Sequence, residues 1–271
     1  MKKKTIVFIA TLAILVALVF VFSNCSKSDD LKKELSKSEE YNDYFLKKAE
    51  YHNDCLEYVA THGDITTMSQ KERFELANEF LGTTTAWEDA EKMIREILPI
   101  AHGETPARML LTKSKDWNPS EEYLMLVEQL EVLFNNALAI AKQGQHTTPD
   151  QFDSNVESLI KLTYDQYPVK LDEEMGLANE FGFFVAQCYL AKETYRYWHE
   201  AFSNPAHLWH NFIRNAEDYP ERGFWNWIVR AASDVWGFVS SASITISTDG
   251  WSLTWDIDDA IDNASHASAS V

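Results

Sequence analysis

From Glu39 onward the sequence repeats apolar side chains at three- and four-residue intervals, segment after segment, and that rhythm belongs to helices packed on one another. Tyr41, Phe45, His52, Cys55, Leu56 and Val59 share one face of a first helix, and Gly63 stands just past its end. Ser69, with Glu72 three residues on, reads as a capping box that opens a second helix reaching Leu81. A third is expected from Thr85 to Ile97, stopping near Pro99, because proline removes a backbone donor and clashes with the turn before it. Residues 99–119 hold three prolines and no clear period, so they read as loop. Ser120-Glu121-Glu122 opens a strong helix to Lys142, with Leu124, Val127, Leu130, Phe134 and Leu138 as its core stripe. Pro149 sits in the first turn of the next, which runs to Tyr164. Leu171 to Phe202 reads as one long helix, Asn204-Pro205 starts another ending near Asp218, and a last one spans Glu221 to Val239. The spacing predicts a mainly α bundle of seven or eight helices with short connections, and no internal repeat is visible.

The end of the chain changes period. Ser243-Ile244-Thr245-Ile246-Ser247 and Trp251-Ser252-Leu253-Thr254-Trp255 alternate by two around Asp249-Gly250, which predicts a β-hairpin over about residues 242–257. A two-residue turn pairs Thr248 with Trp251, Ile246 with Leu253, Ile244 with Trp255 and Ala242 with Ile257, all on one face. A lone hairpin is marginal in water, so that face must cover the bundle, a partner or a membrane interface.

Before the bundle, three lysines (Lys2, Lys3, Lys4) precede an uncharged apolar run from Thr5 to Phe22. These are the charged and hydrophobic parts of an export signal. The run would make about 27 Å of helix, close to the ~30 Å of a membrane span, so length leaves both a cleaved signal and a retained anchor open. Ser23-Asn24-Cys25 follows directly, then Ser26-Lys27-Ser28-Asp29-Asp30. That arrangement resembles the lipobox of bacterial lipoproteins, where the signal is cut before a cysteine that takes acyl chains such as palmitate. Asn24 and Phe22 depart from the small residue and leucine usual there. The organisation expected is a signal or anchor over 1–24, a polar tether over 25–38 and a helical domain over 39–271 ending in the hairpin. Lysines inside place the domain outside in either case. The localisation expected is the outer membrane or cell surface, lipid-anchored, with a single-pass protein carrying an extracytoplasmic domain as the alternative.

Charge narrows the partners. The chain has 24 basic and 42 acidic residues; loss of 1–24 removes three lysines and leaves 21 against 42, a formal charge of −21. Such a surface repels phosphate backbones, so nucleic acid is excluded as a partner class. Apolar content of 45% and 13% aromatics mark a folded chain rather than a disordered one. Beyond Cys25 only Cys55 and Cys188 remain, and in an oxidising envelope they either pair as a disulfide or lie as two separately buried thiols.

Few residues are spaced for chemistry. His207 and His210, at i and i+3, could face one site, with His199 or Glu200 supplying a third ligand for zinc. The alternative is a mixed aromatic–histidine interface with Trp198, Trp209 and Phe212. His52 on an apolar face reads as a hydrogen-bonded core residue, and Asp256, Asp258, Asp259 and Asp262 read as caps for a short following helix. Residues 224–239 are apolar almost all round apart from Arg230 and Asp234, which fits a central core helix or a membrane-seeking one. No phosphate loop, dinucleotide fingerprint or nucleophile elbow occurs.

His52-Asn53 with Leu56, Tyr58 and Val59 shortly after the tether, and the aromatic stretch Tyr189–Trp198, resemble a group of uncharacterised helical lipoproteins from Bacteroides-type Gram-negative bacteria. That resemblance implies a helical fold and no particular activity. Many of that group end in a Gly/Ala-rich, glycine-zipper-like segment, whereas this chain ends in a Trp-rich helix and the expected hairpin. The function expected is a non-enzymatic envelope lipoprotein that binds a protein or glycan partner or occupies the surface, with no cofactor. The alternatives are a zinc-dependent hydrolase built on His199, His207 and His210, and a membrane-active, toxin-like protein using residues 224–257.

Overall fold

The computed structural model describes residues 41–111, 119–214, 226–240 and 255–270. The chain divides into two units, Met1–Asp43 and Tyr44–Val271, and the packed core belongs to the second. The expected signal (1–24), the tether (25–38) and Cys25 lie outside the described residues.

Among the described residues there are eight helices of twelve residues or more, two short ones and three very short strands. They are α1 (41–62), α2 (Gln70–Leu81), α3 (Trp87–Ala101), α4 (Arg108–Leu111), α5 (Glu121–Ala141), α6 (Pro149–Gln166), β1 (Leu171–Asp172), β2 (Leu177–Ala178), α7 (Glu180–Ser203), α8 (His210–Arg214), α9 (Asn226–Ser240), β3 (Trp255–Asp256) and α10 (Ile257–Ser270). The mainly helical class is therefore as the spacing predicts.

Several starts are fixed by caps the sequence announces. Ser69 and Glu72 close the reciprocal capping box of α2, and Thr148 with Gln151 does the same for α6, whose first residue is Pro149. Ser120 accepts from the Tyr123 N–H at the start of α5.

Four expectations are corrected. Leu171–Phe202 is not one helix: Leu171 pairs with Ala178 and Asp172 with Leu177 in an antiparallel turn of chain, and α7 begins only at Glu180. The reason lies at two residues. Gly176 adopts φ +65°, a conformation that ends a helix, and the Asn179 side chain accepts from Gly182 N–H and Lys170 N–H, capping α7 where the periodicity hides a boundary. Helix α3 does not stop at Pro99 but runs on to Ala101, because a proline so near the end removes one hydrogen bond only, and Gly103 at φ +69° provides the stop. Residues 99–119 accordingly contain the end of α3 and the short α4 as well as loop. Among the described residues the helix expected from Asn204 forms over His210–Arg214, not from Asn204 itself; Asn204 closes α7, its side chain accepting from Ala206 N–H in a tight turn.

The expected hairpin falls mostly on residues 241–254, outside the described residues. Its last positions behave otherwise. Trp255 and Asp256 pair with Ala178 and Leu177 of β2, and Ile257, expected opposite Ala242, is the first residue of α10. The C-terminal segment Ile257–Ser270 is helical, and Asp256 Oδ1 accepts from the Asp258 and Asp259 N–H groups, so Asp256 caps a following helix as the sequence reading expects, though that helix is longer than the short one expected.

Helix α9 is the axis of the fold. Every residue from Trp227 to Val239 is buried, and α10, α7 and α3 pack around it, with α6 against α7 and α2 against α10. Gly237 sets the spacing of α9 and α10. A Cβ there would lie 2.6 Å from the Ala267 Cβ and 3.2 Å from the Asn263 carbonyl oxygen, so only hydrogen allows this approach. The facing stretch of α10, from Ala264 to Ser270, is correspondingly small-sided and buried, His266 excepted in size.

Candidate functional site

The densest group of polar side chains lies inside the core. Asp234 of α9 is fully buried, and its Oδ2 accepts from the Thr194 hydroxyl and from Trp198 Nε1 (2.8 Å), both on α7. His52 Nε2 of α1 is 3.8 Å from the same oxygen, while His52 Nδ1 lies 3.1 Å from Asn53 Oδ1. Burial pushes the Asp234 carboxyl up from its ordinary value; His52 and the Ser268, Thr194 and Trp198 donors oppose that rise. Arg230, one turn earlier and 3% exposed, lies 5.3 Å from the Trp198 ring centre and 4.7 Å from that of Phe212. Burial, then the nearby Arg73 cation, lower its pKa to about 9. Arg73 reaches the same Phe212 ring at 4.6 Å and donates Nε–H to the Ala269 carbonyl (2.7 Å).

A hydroxyl, a histidine and a carboxylate are the parts of a nucleophile triad, but their order here is wrong for that chemistry. The base must touch the hydroxyl, with the acid behind it. Here Thr194 donates to Asp234 directly, and His52, Thr194 and Asp234 are all inaccessible to solvent. The constellation ties α1, α7 and α9 together and holds Arg230 in the core. His52 thus sits where the sequence places it, as a hydrogen-bonded core histidine. The burial of 227–239 likewise matches the central-helix reading of that segment.

The histidines singled out for zinc are not gathered. His199 faces His146 and Trp227, with ring centres 5.5 and 5.2 Å away, and burial followed by His146 lowers its pKa. His207 stands edge-on to Tyr197 at 4.9 Å, and its Nδ1 accepts from the Trp209 N–H. His210 is buried with Nδ1 3.0 Å from the Ala201 carbonyl. Among the described residues no three His, Cys, Asp or Glu side chains converge as a metal would require. The neighbours of these rings, including the Trp198–Trp209 and Trp209–Phe212 pairs, form an aromatic–histidine interface.

Of the two states left open for the cysteines, the structure has the separately buried thiols. Cys55 and Cys188 are both free and buried. Cys55 looks toward Ser265 and Asp262 of α10, and burial pushes its thiol up to about 12; Cys188 on α7 is raised well above its ordinary value by burial. Each thiol is enclosed by different neighbours, so the two cannot meet.

The accessible feature is the outer face of α5 with its neighbour α6. Helix α5 is long and apolar enough to cross a membrane by composition, yet its inner stripe, Tyr123, Leu124, Val127, Leu130, Phe134 and Leu138, is packed in the core. Its other side carries a second apolar set: Met125 is 52% exposed, Val132 53% and Ile140 36%. Two cavities, of about 750 and 510 Å³, adjoin along this face and share Leu133 and Asn155. Their walls are aliphatic and amide, with Gln129, Asn136, Gln151 and Asn155 supplying most of the polar groups. The carboxylates at the margins share their arginines: Glu128 lies 3.2 Å from Arg108, which Glu121 also holds at 2.7 Å, and Asp150 lies 3.9 Å from Arg196, which Asp153 holds more closely. On a chain of formal charge −18 the lining between Glu128 and Asp150 carries no charged side chain. The sequence reading missed it because one stripe of α5 already satisfied the core. The available signal was the surplus of apolar residues on the opposite side. Comparison of the chain with family models, curated proteins and solved structures returns no match.

Proposed function

We propose that this chain is a lipid-anchored protein of a bacterial outer membrane or cell surface that acts by binding a protein or glycan partner. The observation that carries the reading is the opening stretch, in which Lys2, Lys3 and Lys4, the apolar run Thr5–Phe22 and Cys25 stand in the order of a lipoprotein export signal. The α5–α6 face supports the binding half, since a groove with aliphatic floor and amide rim suits recognition by shape and neutral hydrogen bonds.

Intact-mass analysis of the native protein, combined with protease shaving of whole cells, tests it. The expected result is a chain that starts at Cys25, carries acyl chains and is removed by external protease. A full-length polypeptide dissolved in the cytoplasm with Met1–Asn24 still attached would end the proposal.

A further inference from the structure

The α5 face is complementary to itself. Its outward residues Met125, Gln129, Val132, Asn136 and Ala139 follow four- and three-residue steps, the spacing of a helix–helix seam, with Leu133 and Ile140 beside them. If a second α5 lies antiparallel across the first, with the two-fold axis between Val132 and Leu133, each residue meets the one whose number completes 265. Met125 then meets Ile140, Gln129 meets Asn136, and Val132 meets Leu133. Apolar falls on apolar, amide on amide, and the central positions carry no charge. At both ends Lys142 of one copy comes beside Glu122 of the other, a charge of opposite sign, while Glu121 there is already paired with Arg108. Elsewhere the acidic surface of two copies would repel, which leaves this uncharged seam as the favoured place of approach.

We infer that α5 docks on α5 of a second copy of this chain, making an antiparallel, two-fold symmetric dimer. The inference rests on reading the α5–α6 face as a docking surface, and it stands whether or not Cys25 carries lipid. The partner helix fills the adjoining cavities along α6, with Met125 and Ile140 as outer anchors and Val132 at the centre. A 21-residue α5 is about 31 Å long. With α6 beside it at the usual ~9 Å, the strip covers roughly 600 Å² per copy, at the small end of specific interfaces. A dimer that forms in the micromolar range follows.

The test uses the full chain purified from membranes in mild detergent, with protein mass read by light scattering across concentrations up to ~100 μM. The expected result is a dimer for the parent chain. Val132→Glu places a carboxylate at the two-fold axis and weakens dimerisation about 100-fold. Thr84→Glu, on the exposed loop between α2 and α3, leaves the dimer unchanged. Gln129→Glu weakens the dimer, and adding Asn136→Lys restores it, because the two positions face each other only in this register. Circular dichroism confirms that each variant is folded. A monomer at every concentration overturns the inference, even if α5 captures some other protein. So does a dimer indifferent to Val132→Glu, or a failure of Asn136→Lys to rescue.

Discussion

Gly237→Ala perturbs the closest approach in the fold. The added Cβ would sit 2.6 Å from the Ala267 Cβ, where carbon pairs rest at about 3.5–4.0 Å, so α10 must retreat by roughly 1 Å. The other near atoms are the Asn263 carbonyl oxygen and the Ala264 Cα, both backbone, so no side chain can swing aside. Overpacking of this kind costs about 1–3 kcal/mol, and alanine's better helix propensity returns up to ~1 kcal/mol. A net loss of about 1–2 kcal/mol is expected. For a unit of this size that is a fall in Tm of roughly 3–6 °C, read by circular dichroism at neutral pH. Adding Ala267→Gly removes the opposing carbon, so the double variant should be more stable than the sum of the single effects by about 1 kcal/mol. An unchanged or raised Tm for Gly237→Ala, or strict additivity in the pair, would refute the claim that this glycine sets the spacing of α9 and α10.

Asp234→Leu should cost about 3–5 kcal/mol in urea unfolding, because it strips the acceptor from Thr194 and Trp198 and the counter-charge from buried Arg230; a loss under about 1 kcal/mol would contradict that role. His266 is 1% exposed, and burial lowers its pKa from 6.5 to about 4, so the folded state holds it neutral. Its contribution is present above pH 6.5 and is lost as pH falls toward 4, by about 3 kcal/mol in total; His266→Gln should flatten that part of the stability–pH curve, and an unaltered slope would count against it. Cys55 and Cys188 should resist a thiol reagent in the native protein and react fully in denaturant, with two free thiols by mass; rapid native labelling would show that their burial is misjudged.

The long amphipathic elements were legible because burial and helical period coincide in them, as in α5, and because Ser69, Ser120 and Thr148 announce their helix starts. The break at 171–179 was not, since its apolar residues also suit a helix and only the conformation of Gly176 and the reach of Asn179 decide against one. The end of the chain misled for a related reason. The aspartates read correctly as caps of a following helix, but the alternating run before them suggested strand through Ile257, whereas β3 takes just two residues before Asp256 caps α10. Of the core constellation, His52 could be read as a hydrogen-bonded residue, but its neighbour Asp234 comes from a helix more than 180 residues away, and nothing local signals that meeting. The outer face of α5 was hidden by the inner one, since a single apolar stripe is all that periodicity asks of a core helix.

Helix α10 is delivered late. Synthesis releases it after α2, α3 and α9, the helices it packs against. Until its alanines reach Gly237 and Ala269 offers its carbonyl oxygen to Arg73 of α2, the central helix has an uncovered side and the Arg73 Nε–H lacks its acceptor. The central helix of such a chain gains its full cover only once α10 has folded against it.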